Sequence, residues 1–134
     1  MKQFFKFIVC LAGTFVGLIV VLWLCISYET TYRKTICDIA ISPDGAYELI
    51  LQAVGAPDWP FGSARGRLIL KEGKSRIARA DFELHNDGGS INSDCWKVTW
   101  HEDYVEVILS GKEQADEQIW MRFDGKTERF YESE

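Results

Sequence analysis

Apolar and polar positions along the chain follow two regimes. Residues 7–28, FIVCLAGTFVGLIVVLWLCISY, run for 22 positions without a charge. At 1.5 Å per helical residue, such a run crosses a hydrocarbon core of roughly 30 Å. Residues 1–28 therefore read as an N-terminal membrane anchor that meets the bilayer through residues 7–28. A cleaved signal peptide is the weaker reading, because its apolar region ordinarily has about 7–15 residues. Lipid attachment at Cys25 is disfavoured by the bulky Leu24 before it. Gly13 and Gly17 form a GxxxG spacing, which lets membrane helices approach but is also ordinary glycine usage in such helices.

Beyond a polar connector at residues 29–34, the period changes to two. Cys37, Ile39 and Ile41 alternate with Asp38 and Ala40, as in a half-buried strand with the first set inward. Ser42-Pro43-Asp44-Gly45 is a turn, and Tyr47, Leu49, Leu51 and Ala53 share one face of the returning strand. Residues 67–71 and 77–84 predict a second hairpin, with Ala78, Ala80, Phe82 and Leu84 inward. Trp96, Val98 and Trp100, then Val105, Val107 and Leu109, predict a third. Ile119, Met121 and Phe123 lead through Asp124-Gly125 into a fourth. The expected fold is all-β, an antiparallel meander of about eight strands over residues 35–134, sandwich or barrel-like, after one transmembrane helix.

Charge narrows the function classes. All 20 acidic residues follow residue 28, whereas Lys2 and Lys6 precede it. The part beyond the anchor thus holds 13 basic and 20 acidic residues, a net of −7, which argues against nucleic-acid binding. Lys2 and Lys6 on one side, against Arg33 and Lys34 partly offset by Glu29 and Asp38 on the other, give a modest bias, and with the short N-terminal tail it predicts a cytoplasmic N-terminus and a domain outside, at the cell envelope. Trp23 and Tyr28 suit the outer interface. In outline the chain resembles small membrane-anchored β-proteins of bacteria, a likeness of architecture that carries over no functional residue.

Candidate chemistry is sparse. His85 and His101 stand too far apart for a zinc motif, and neither HExxH nor CxxC occurs. Asp87, Ser90, Asn92 and Asp94 offer oxygen ligands but miss the calcium-loop spacing, and Asn-Asp-Gly-Gly is first a turn. A GxSxG elbow and phosphate-binding glycine loops are absent. The reading is no enzyme, no cofactor and no metal.

Cys37 and Cys95 form a candidate disulfide if the domain is exported, or else two small core residues. Trp59 and Phe61 lie in a proline-held loop over residues 55–66. They either plug the core, so that Trp59→Ala would cost roughly 3–5 kcal/mol, or form a binding tip; the plug is the expectation. Arg65, Arg67, Lys71, Lys74, Arg76 and Arg79 put six bases into fifteen positions, against Glu72 alone. Residues 102–134 hold ten acids and four bases. This polarity is either cross-strand pairing or a basic hairpin that faces headgroups or an acidic partner. Trp59, Phe61, Arg65, Arg67, Lys71 and Arg76 are therefore the candidate interaction residues of a binding module with a protein partner. The first alternative is an immunity-type or inhibitor protein that acts through its acidic face, and the second, less favoured, is an enzyme.

Overall fold

The computed structural model describes residues 1–131. Helix α1 (Lys2–Thr31) has 30 residues, and none of them is buried. It is long and apolar enough to cross a membrane. Its hydroxyls turn inward on the helix: Thr14 and Thr30 donate to the carbonyls of Cys10 and Ile26, both at 2.9 Å. That removes a polar group from the apolar surface. An i,i+4 ion pair, Arg33 to Glu29 at 2.6 Å, follows the helix past the uncharged run. The expected connector at 29–34 is therefore largely the last helical turn, and only Tyr32 and Arg33 separate helix from sheet.

Eight antiparallel strands follow. Strands β1 (Lys34–Ile41), β2 (Tyr47–Val54), β3 (Ala64–Glu72) and β4 (Ser75–Leu84) form one sheet in that order. Strands β5 (Trp96–Trp100), β6 (Tyr104–Leu109), β7 (Glu117–Arg122) and β8 (Thr127–Tyr131) form the other, after a 3-10 turn at Ser93–Cys95. The four expected hairpins are present, and the β2–β3 and β6–β7 pairings join them into two meanders.

One hydrophobic cluster draws on both sheets. Leu49, Leu51, Leu68, Leu70, Ala80 and Leu84 come from the first, and Val105, Val107, Leu109, Ile119 and Met121 from the second. These are the alternate positions of each strand, so the period of two in the sequence becomes one buried face per sheet.

Strand β1 departs from the expected phase. Its register with β2 shifts between Ile36 and Asp38. A bulge places two residues opposite one and reverses the faces beyond it. Cys37 and Ala40 consequently pack on the core, while Ile39 and Ile41 are 45% and 62% exposed. Asp38 also turns toward the other sheet and accepts a hydrogen bond from Trp96 Nε1 at 2.9 Å. Of Cys37, Ile39 and Ile41, which the alternation puts on one face, Cys37 is thus inward and the two isoleucines outward. The bulge exchanges two isoleucines for a carboxylate that satisfies a partly buried indole N–H.

The antiparallel order sorts the loops to two ends of the first sheet. Lys34 pairs with Val54 and Ala64 pairs with Leu84 at the end where α1 enters. The 55–63 and 85–92 segments lie at that end. Ile41 pairs with Glu48 and Glu72 with Ser75 at the other, about 25 Å away for strands of eight residues.

Candidate functional site

The helix-proximal end is held together by backbone. Gly55 N–H donates to the Arg33 carbonyl at 2.7 Å, and Ala56 N–H donates to the Thr30 carbonyl at 2.8 Å. Arg65 Nη2 reaches the Thr31 carbonyl at 3.4 Å, placing a cation at the negative end of α1. Gly55 has φ of +72°, and a Cβ there would collide with the Thr30 carbonyl oxygen. Glycine is what lets the loop approach the helix end this closely.

Beside this junction lies a cleft of about 720 Å³. Its walls come from β2, β3 and β4 of the first sheet, from β7 and β8 of the second, and from the 110–116 connection. Three guanidinium groups, of Arg65, Arg67 and Arg129, line it with the carboxylates of Asp81, Glu83 and Glu117. Val54, Phe82, Ala115 and Tyr131 add apolar surface. His85 and Gln114 complete the rim, where Gln114 Oε1 accepts from the His85 backbone N–H at 2.7 Å.

The charges are ordered by a network that joins the two sheets. Arg67 Nε meets Asp81 at 2.6 Å across β3 and β4, and Arg79 meets the other Asp81 oxygen at 2.5 Å. The Arg79 hydrogen bond, ahead of those from Arg67, holds the Asp81 carboxyl below its ordinary pKa, against some loss of hydration. Arg129 on β8 pairs with Glu117 at 3.2 Å and also donates to the backbone carbonyl of Asp81. Glu117 is buried at the inward-facing start of β7, so Arg129 compensates a carboxylate at the margin of the core. Glu83 accepts a hydrogen bond from Ser63, closing the wall toward the 55–63 loop.

The cleft is shaped by an absent side chain. A Cβ at Gly66 would overlap the Phe82 ring and stand 2.7 Å from Ile91 Cδ1. The tip of the Phe82 ring thereby occupies the space beside Gly66, and Arg65 and Arg67 on either side project away from the core. In the sheet alternation, odd positions from 65 to 71 share the outer face.

The sequence candidates separate in space. Arg65 and Arg67 line the cleft. Lys71 and Arg76 are register partners near the far turn, with Lys71 also opposite Glu48. Six residues of strand put Lys71 about 20 Å from Arg65. The basic hairpin is therefore not one patch. Arg129, Glu117, His85 and Gln114 were not legible as site residues. They come from three later segments, and nothing local marks them.

Trp59 and Phe61 do not plug the core: they are 92% and 71% exposed. The loop is closed by its own backbone instead. Asp58 N–H donates to the Ser63 carbonyl at 2.9 Å, Gly62 N–H to Asp58 at 2.8 Å, and Gly88 N–H to Gly62 at 3.0 Å. With those polar groups satisfied, and with Leu84 and Ile91 filling the sheet end, no aromatic is required inside.

Cys37 is half-buried and Cys95 buried, both at the same core and both as free thiols. Burial raises the Cys37 pKa, and the neighbouring Cys95 adds to the rise. Asn92, one of the oxygen-bearing residues of the 87–94 segment, spends its side chain as a cap, accepting from the Asp94 N–H at 2.9 Å. Comparison with protein-family models, with curated proteins and with solved structures gives no match to this chain.

Proposed function

We propose that this chain is a single-pass, membrane-tethered binding module rather than an enzyme. Its N-terminus lies in the cytoplasm and its β domain at the outer face of the cell envelope. The two sheets pack face to face as a sandwich, and the cleft between their edges takes a protein partner. The observation that carries this reading is the convergence of Arg65, Arg67 and Arg129 on one concave surface with apolar walls. Among the described residues Arg65 pairs with no carboxylate, and its planar guanidinium suits two-pronged recognition of one, so the fitting partner presents an acidic residue there. The cleft's charges are mostly joined in pairs, Arg67 with Asp81 and Arg129 with Glu117. That arrangement orients groups for recognition.

Recovery of partners by the full chain, solubilised from its own membranes, tests the proposal. Arg65→Glu should weaken capture at least about tenfold, the equivalent of ~1.4 kcal/mol. Lys74→Glu, at the exposed far turn, should leave it unchanged. Equal capture by both variants would remove the cleft as the binding surface.

A further inference from the structure

Trp59 and Phe61 are large aromatics that the domain leaves almost fully in solvent. The 55–63 loop that carries them is clamped to the end of α1 through the Gly55–Arg33 and Ala56–Thr30 hydrogen bonds. It also lies at the end of the first sheet from which α1 departs, since Lys34, Val54, Ala64 and Leu84 share that end. No residue of α1 is buried, so the helix leaves the domain rather than folding along it.

The distances place the tip near the end of the apolar run. Thr30 lies two residues beyond Tyr28, about 3 Å along the helix. Trp59 lies three residues beyond Ala56, at most about 10 Å of chain. The polar interface on each side of a bilayer is itself roughly 5–8 Å thick. An indole projecting from this loop can therefore reach the interface that receives the end of α1. Amphipathic rings settle in that layer, with the apolar body toward the acyl chains and the N–H toward water.

We propose that Trp59 and Phe61 form a second membrane contact, a wedge in the lipid interface beside α1. This inference rests on the membrane-anchor reading of α1. Because the domain is clamped to the end of α1, a second contact fixes the tilt and rotation of the whole unit in the bilayer, which a single span leaves free. They also hold the neighbouring cleft close to the bilayer surface.

The test is 19F NMR of the full chain, labelled with 5-fluorotryptophan, in phosphatidylcholine nanodiscs. Replacement of individual tryptophans by phenylalanine assigns the resonances. A headgroup nitroxide lipid should abolish the Trp59 signal as it abolishes that of Trp23, and a water-soluble gadolinium chelate should spare both. Trp100, packed near Phe123 and Tyr47 at the end of the sheets away from α1, serves as the reference remote from lipid. Loss of Trp59 to the chelate, with Trp23 still lost to the lipid, would overturn the wedge and leave the anchor standing. A Trp59 signal untouched by either agent would mean that protein covers it, and would also overturn the wedge. Survival of Trp23 beside the nitroxide lipid would remove the anchor, and the wedge with it.

Discussion

Single residues in this chain act mainly by what they permit or satisfy. Gly66 is the sharpest case, because its missing Cβ is the space in which Phe82 lies. Both Phe82 and Ile91 are buried, so neither can swing into solvent without opening the core. Gly66→Ala should therefore destabilise the domain by about 1–3 kcal/mol, as overpacking does. Urea unfolding of the full chain in detergent, followed by tryptophan fluorescence, measures it. Trp59→Ala should behave oppositely in the same assay and stay within about 0.5 kcal/mol of wild type, because an exposed ring has little packing to lose. A shift comparable to that of Gly66→Ala would put Trp59 in contacts that its 92% exposure denies. Neither role was legible from composition. A glycine in a strand signals a close approach without naming what approaches, and an aromatic in a loop does not say which way it points.

At the scale of elements, alternation was a good guide wherever a strand was regular. Ala78, Ala80, Phe82 and Leu84 all face inward as their spacing predicts, and so do Val105, Val107 and Leu109. It failed in β1, where one bulge reverses the phase, because a bulge is set by partners on β2 and β5 that the local pattern does not contain. The cleft escaped for a similar reason. Its charged ladder joins β3, β4, β7 and β8, and the residues are up to 64 positions apart, from Arg65 to Arg129. That ladder has a pH signature. Asp81 is held below its ordinary pKa by Arg79 and then Arg67. Its contribution to stability is therefore complete above the ordinary carboxylate value and fades as pH falls through the lower folded value. Melting temperatures should thus decline more steeply below about pH 4 in the wild type than in Asp81→Asn, which has no carboxyl to protonate there. Parallel acid profiles for the two proteins would show that the ladder is electrostatically idle.

The whole molecule is arranged about the end where helix and sheet meet. Junction, cleft and aromatic loop share that end, and the far turns carry Lys74 and Arg76 away from it. This arrangement was half visible in the sequence: the 22-residue uncharged run announces the helix, whereas which loops lie beside it depends on strand order. The arrangement has functional meaning only if the run stays in the chain and in the bilayer. The helix has no buried residue, and it is long and apolar enough to span a bilayer. Cleavage near Tyr28 would also remove residues adjoining the turn whose Thr30 and Thr31 carbonyls bond the domain. The full-length chain should therefore remain in the membrane pellet after carbonate extraction, with an intact mass that includes residues 1–28. Under the proposed orientation, protease added outside intact cells whose outer barriers have been opened should remove the β domain and leave the helix behind. A carbonate-soluble product beginning near residue 28 would remove the tether. A protected domain with a pelleted chain would keep the tether and reverse the orientation, moving the cleft to the cytoplasmic face.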